Sequence, residues 1–251
     1  LLTDGGKMQK VNFCHVVRDK LENACIMWGE QLHDTHILND ILSGECSFHQ
    51  FQGFLLETYH YIKMFPDVLS YAERCAQLPE LKELLHNYTQ QEIGHEGFVL
   101  SALMDTGVTF AEVEASVPLV STQNILNLLK ELFVDYPWTP LFVAKVIEEG
   151  DFSSMVVEIT GNKLKEIYDI TYNPLVHLYN HAEIDFQLRH FFILDNNKHL
   201  IELIEKQDIH DILNRIHDIK HAFDLQKLEI KDYYSHPGNY FPRQKVDFFG
   251  V

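Results

Sequence analysis

Apolar residues recur every three to four positions along almost the whole chain, from Val11 to Tyr233. No segment alternates with the period of two that a half-buried strand requires. That pattern restricts the fold to helices packed on helices. With 251 residues and no interdomain linker, repeat or low-complexity tract, the expectation is a single domain over 8–251 with a substantial core. Leu1 to Lys7, just ahead of Met8, read as a leftover cloning segment, and 235–251, with Pro237 and Pro242, as an irregular tail.

Local signals place the helices. A first one is expected over about 11–32 and a short one over 37–42 before Ser43-Gly44. Ser47 with Gln50 forms a capping box that opens a helix through Phe65, where Pro66 ends or kinks it and a further piece reaches about Gln77. Pro79 suits the first turn of a long central helix running to about Met104, and Thr109 with Glu112 caps a short one. Further helices are expected over about 122–136, 141–149 and from Gly150 to Tyr172. Asn173-Pro174 then opens a helix over 175–194, ended by Asn196-Asn197, and a last long helix covers about 199–233. The expected architecture is an all-α bundle of seven major helices.

Several polar residues break the apolar faces. In the central helix Leu81, Leu84, Leu85, Tyr88, Val99, Ala102 and Leu103 form one stripe at about 100° per residue, and Glu92 and His95 fall inside it. An ionised carboxylate is costly to bury without a partner, and a metal ion would compensate both groups together. Glu83 and His86 share the three-residue spacing but lie with Lys82 and Asn87 on the polar face, so they read as solvated surface. On the helix after Ser47, Glu57 shares a side with Phe54, Tyr61 and Met64, whereas Lys63 and Gln52 mark the outer face and His60 lies at the boundary. His177, His181 and Asp185 form an i, i+4, i+8 row on a helix that is apolar nearly all round, with His190 opposite. Glu149 groups with Phe142 and Val146, while Glu148 and Glu158 share faces with lysines. Hydrogen bonding of His to Asp within a metal-free core is the bland alternative.

The candidate ligands are therefore Glu57, Glu92, His95, Glu149, His181 and Asp185, with His177 and His60 in reserve. Mixed carboxylate and imidazole ligation suits iron or manganese, and four carboxylates neutralise two divalent ions. The set departs from the ferritin-like pattern, because one helix offers His-x-x-x-Asp.

At this point the chain resembles the haem-oxygenase-like di-iron oxidases, a superfamily that includes the thiaminase-type (TenA-like) proteins, the pyrroloquinoline-quinone cyclase and the chlamydial death-domain-associated protein. The resemblance runs from about Val11 to Tyr233. It is carried by Phe54-Leu55-Leu56-Glu57, Glu92-Ile93-Gly94-His95, Val146-Ile147-Glu148-Glu149-Gly150 and His181-Ala182-Glu183-Ile184-Asp185. It implies a haem-oxygenase-like bundle holding two Fe(II) ions that activate O2, with His95 and His181 anchoring one iron each. Leu188 stands where many members carry a further His, and Tyr88 where some carry a carboxylate that Glu92 replaces here. Length and motifs are most similar to small, often cyanobacterial, proteins that oxidise free amino acids, one branch of which makes a nitrile from a halogenated tryptophan. A fatty-acid decarboxylase of the same superfamily is the alternative. Tyr61, Tyr88 and Arg189 are the candidates for holding a substrate carboxylate.

Three other function classes stand further back. A metal-free thiaminase-type hydrolase would need Cys14, Cys46 or Cys75 open to a cavity. A non-catalytic interaction protein would hold no iron. A haem oxygenase proper lacks a clear setting for a proximal His around His15. The four cysteines, with no CxxC, suit reduced core thiols in a cytoplasmic protein. A net charge of −17 disfavours nucleic acid and anionic membranes as partners, and no apolar run approaches a membrane span. A small amino-acid-like molecule is the expected partner, in a possible homodimer whose interface no motif identifies.

Overall fold

The computed structural model describes residue 23 and residues 37–143, 154–170, 175–177, 196–197, 200 and 209–236. Every regular element among them is helical: α1 (Ile37–Leu42), α2 (Phe48–Cys75), α3 (Pro79–Glu92), α4 (Glu96–Asp105), α5 (Phe110–Ala115), α6 (Val120–Asp135), α7 (Ser154–Tyr168) and α8 (Ile209–Tyr233). The expected first helix, most of the 175–194 helix and the stretch around Glu149 lie outside the described residues.

Three starts predicted from local chemistry, at Ser47, Pro79 and Thr109, are realised. Ser47 Oγ accepts from Gln50 N at 3.2 Å, and the Gln50 side chain accepts from Ser47 N at 2.8 Å. Thr109 and Glu112 repeat the device ahead of α5, and Pro79 opens α3 where its missing N–H costs nothing. Two expectations change. Of the two outcomes expected at Pro66, an end or a kink, the end does not occur; α2 passes through it, is 28 residues long in all, and forgoes the one hydrogen bond that Pro66 cannot donate. The central helix does end early. Gly94, at φ +95°, turns the chain between α3 and α4, a left-handed backbone that side chains with a Cβ resist.

α2 is the spine, packed against α3, α4 and α6, with α8 laid along α6. Two apolar clusters form on it. The first gathers Phe51, Leu55, Leu56 and Tyr59 of α2 with Ile37, Ile41, Val99, Leu103, Leu164 and Tyr234. The second gathers Phe65, Val68, Leu69 and Ala72 with Leu81, Leu85 and Tyr88 of α3, and with α6 and α8. Each fully buried leucine in these clusters stabilises the fold by about 1.5–3 kcal/mol. Along α2 the clusters give way to one another between Tyr59 and Phe65; along the α3–α4 pair they do so between Tyr88 and Val99. Glu57, Tyr61, Glu92 and His95 all stand at or near this seam.

Candidate functional site

Glu92 is the last residue of α3 and His95 directly precedes α4, so the two side chains flank the Gly94 turn rather than sharing one continuous helix. His95 N donates to Glu92 O at 3.3 Å, which holds the turn tight. His95 Nδ1 lies 3.2 Å from Glu92 Oε2, and the two side chains are only 8% and 10% exposed. Glu83 and His86 are exposed, as expected, and His86 Nδ1 meets Glu73 Oε1 at 3.3 Å on the surface. The two pairs share a spacing and differ in burial. The Glu92–His95 contact can serve a cation in two ways: both groups can turn to it, or Glu92 can hold the Nδ1 side and so fix the ring for ligation through Nε2.

Glu57 is 1% exposed, as its place on the wheel predicts, but its surroundings were not legible. Its Oε2 accepts from Leu119 N at 2.9 Å and from Thr122 Oγ1 at 2.5 Å. Tyr234 Oη donates to Oε1 at 3.3 Å, and Gln226 Nε2 donates to Thr122 Oγ1 at 2.7 Å. Leu119 is the N-cap of α6 and has no side-chain cap of its own, so Glu57 supplies that cap from α2 while Glu229 accepts from Ser121 N at 2.9 Å. Burial drives the Glu57 carboxyl up to about 7, only partly offset by hydrogen bonds from Thr122, Leu119 and Tyr234, and nearby Glu229 raises it further.

Tyr234 reaches Glu57 only because position 53 is glycine. A Cβ built there would overlap the Tyr234 ring. Gly53→Ala is expected to push Tyr234 off α2, to lower stability by about 1–3 kcal/mol in a denaturant melt, and to quench-shift Tyr fluorescence. An unchanged melt would place Tyr234 elsewhere. Thr122, Tyr234, Gln226 and Gly53 are the site residues that sequence reasoning missed. Thr122 was within reach, since it sits on the buried stripe of α6 with Ile125, Leu126 and Leu129.

The remaining candidates scatter. His60 is buried rather than at a boundary, and its Nε2 lies 2.8 Å from Ser116 Oγ. His177 Nε2 meets Asp105 Oδ2 at 3.0 Å in a partly exposed pair. Met64, expected to face inward beside Glu57, is 39% exposed. Tyr88 is buried in the second cluster. Tyr61 is buried at its hydroxyl and is taken up below. Glu149, His181, Asp185 and Arg189 lie outside the described residues. Among the described residues no three His, Cys, Asp or Glu side chains converge closely enough to hold a metal ion. The donor chemistry nonetheless fits one at two points. Glu92 and His95 form a buried carboxylate–imidazole pair, and Glu57 has two short hydrogen bonds on Oε2 and, among the described residues, only the long Tyr234 contact on Oε1. Carboxylates that ligate metals are themselves commonly hydrogen-bonded in this way.

The described cysteines do not form a nucleophile site. Cys46 is buried, its thiol pushed up chiefly by burial, and Cys75 is half-buried at the end of α2. No helix among the described residues is long and apolar enough to cross a membrane.

Comparison with known proteins agrees with the fold. A heme oxygenase-like domain of unknown function from Shewanella denitrificans superposes with a TM-score of 0.71 at 18% identity, covering 87% of this chain and 93% of its own. A TenA homologue from P. horikoshii gives 0.57 at 10% identity over 86% and 98% of the two chains. A TenA homolog from Pseudomonas syringae gives 0.55 at 8% over 92% and 97%. At these identities the likeness shows the fold alone. The comparison with curated proteins finds no match. The family model for TENA/THI-4/PQQC matches residues 23–183, well over half of the sequence. The bundle is haem-oxygenase-like, and the chain belongs to the TENA/THI-4/PQQC family.

Proposed function

We propose that the chain is an O2-dependent non-haem di-iron oxidase acting on a small carboxylate-bearing molecule. A free amino acid, including a halogenated tryptophan, is the favoured substrate, with carbon–carbon cleavage or nitrile formation as the outcome. The observation that carries this reading is the buried Glu92–His95 pair at the seam of the two clusters, beside a buried tyrosine hydroxyl that has no hydrogen-bond partner among the described residues. A bundle that needed only packing would place hydrocarbon there. Fatty-acid decarboxylation by the same kind of centre is the alternative substrate reading. A cysteine hydrolase is disfavoured by the burial of Cys46 and by the absence of either described cysteine from the contacts of Glu57.

In this reading Glu57, Glu92 and His95 act with Glu149, His181 and Asp185 as ligands. Bound iron would supply the electrons for O2 activation. The chain's own contribution is orientation and exclusion of water. Glu92 fixes the His95 ring, and the Gly94 turn brings the two together. Leu119 N and Thr122 hold Oε2 of Glu57 so that Oε1 faces Tyr234. The apolar clusters on either side keep the seam dry.

The test is anaerobic Fe(II) loading followed by mixing with O2, with and without pools of amino acids and of fatty acids. O2 consumption accelerated by one pool, with a transient visible absorption, is the expected result. No response to O2 with either pool would remove the oxidase reading.

A further inference from the structure

Among the described residues, four tyrosine hydroxyls at buried or half-buried positions donate hydrogen bonds. Tyr59 Oη donates to Glu114 at 3.1 Å, Tyr136 Oη to Asp211 at 2.8 Å, Tyr168 Oη to the Cys46 carbonyl at 3.1 Å, and Tyr234 Oη to Glu57. Tyr61 Oη, by contrast, is buried and has no hydrogen-bond partner among the described residues. Its ring cannot swing to find one. It stacks on Phe65 at 5.6 Å and 23°, and meets Phe223 edge-on at 5.8 Å and 64°. A phenol has no freedom beyond its two side-chain torsions, so this packing fixes the oxygen in space. An orphaned buried hydroxyl costs stability, and native proteins rarely retain one without use.

Position supplies that use. Tyr61 is one turn beyond Glu57 on α2, and the Glu92 carboxylate is close enough to act on it electrostatically. A neutral phenol has one O–H to give, so the buried Tyr61 hydroxyl serves as a donor. Behind it, Phe65, Phe133 and Phe223 make an aromatic, apolar wall, with Phe65 edge-on to Phe133 at 6.4 Å.

We propose that Tyr61 is a substrate-binding residue whose hydroxyl donates a hydrogen bond to the carboxylate of an acid with an apolar body, bound at the seam between the two clusters. This rests on the proposed function for the site being a small-molecule centre, and it narrows the ligand to an acid whose hydrocarbon or aromatic part packs on the Phe65–Phe223 wall. The phenol alone does not compensate a carboxylate. A cation held by Glu92 and His95 would provide the opposite charge.

The test is Tyr61→Phe, which keeps the ring and removes the donor. Wild type and variant are titrated calorimetrically with dodecanoate and with L-tryptophan, both metal-free and after anaerobic Fe(II) loading. Dodecan-1-ol and tryptamine, which keep the bodies and lack the carboxylate, are the controls. Wild type is expected to bind at least one acid in at least one metal state, and Y61F to bind it about tenfold or more weakly. The controls should not distinguish the two proteins. The variant should also melt at the same temperature or higher, because it loses an unsatisfied polar atom rather than a contact. Equal affinities, a lower melting temperature for Y61F, or no binding of either acid by wild type would overturn the proposal. Tyr61-dependent binding by a protein that takes up no iron would leave it standing and remove the oxidase reading instead.

Discussion

Replacing His95 by alanine is expected to lower Fe(II) affinity by more than about 100-fold, while His86→Ala leaves it unchanged. The two histidines share a helix pattern and an i, i+3 glutamate, so neither composition nor spacing separates them. Burial does. The His95 side chain is 8% exposed against Glu92, whereas that of His86 is 54% exposed against Glu73. A surface pair solvates itself and exchanges its partner for water at little cost; its net worth is below about 1 kcal/mol. A buried pair has no water to fall back on, so a cation that binds both groups gains their full compensation. Anaerobic titration with a chromogenic chelator as competitor reads both affinities. If the two variants lose iron equally, burial is not what makes the Glu92–His95 pair a ligand set.

The second large effect is on stability against pH in the metal-free protein. Glu57 titrates at about 7 when folded, against an ordinary value of 4.5. Between those values the folded state binds more protons than the unfolded one, so stability falls as pH rises. The loss begins near pH 4.5 and is complete above pH 7, amounting to about 3 kcal/mol. Glu57→Gln keeps acceptors for Leu119 N and Thr122 without a charge to bury. The variant is therefore expected to match wild type near pH 4.5 and to exceed it by up to about 3 kcal/mol at pH 8, read by urea denaturation across that range. A parallel pH dependence in both proteins would mean that Glu57 does not titrate there. The same substitution removes a ligand oxygen's charge, so it should weaken iron binding even as it strengthens the fold. A residue retained for packing alone would not show that opposition.

Much of the bundle was legible because it is locally encoded. Ser47 with Gln50, Thr109 with Glu112, and Pro79 each satisfy their own helix start within one turn, so the signals and the structure coincide. The turn at Gly94 was not legible from the apolar stripe. Val99, Ala102 and Leu103 stay buried on the far side of it, so the periodicity runs through while the helix does not. A mid-helix glycine between two polar residues on a buried face was the available sign. Glu57 divides the same way. Its burial follows from its helical face, but its partners are 62, 65 and 177 positions away in sequence. No local pattern encodes a carboxylate that caps another helix. His60 shows the converse. A wheel places it at the edge of the α2 stripe, and the segment after α5 covers it through Ser116. Burial on a helix face is set by what packs there, and single-helix geometry sees only one side of that contact.

The most direct measurement is anomalous diffraction at the iron edge from crystals of the Fe(II)-loaded chain. Two peaks are expected at the seam between the clusters, with Glu92 and His95 in coordination contact with one of them. Peaks only at exposed histidines such as His86, or none at all with iron in excess, would contradict that expectation.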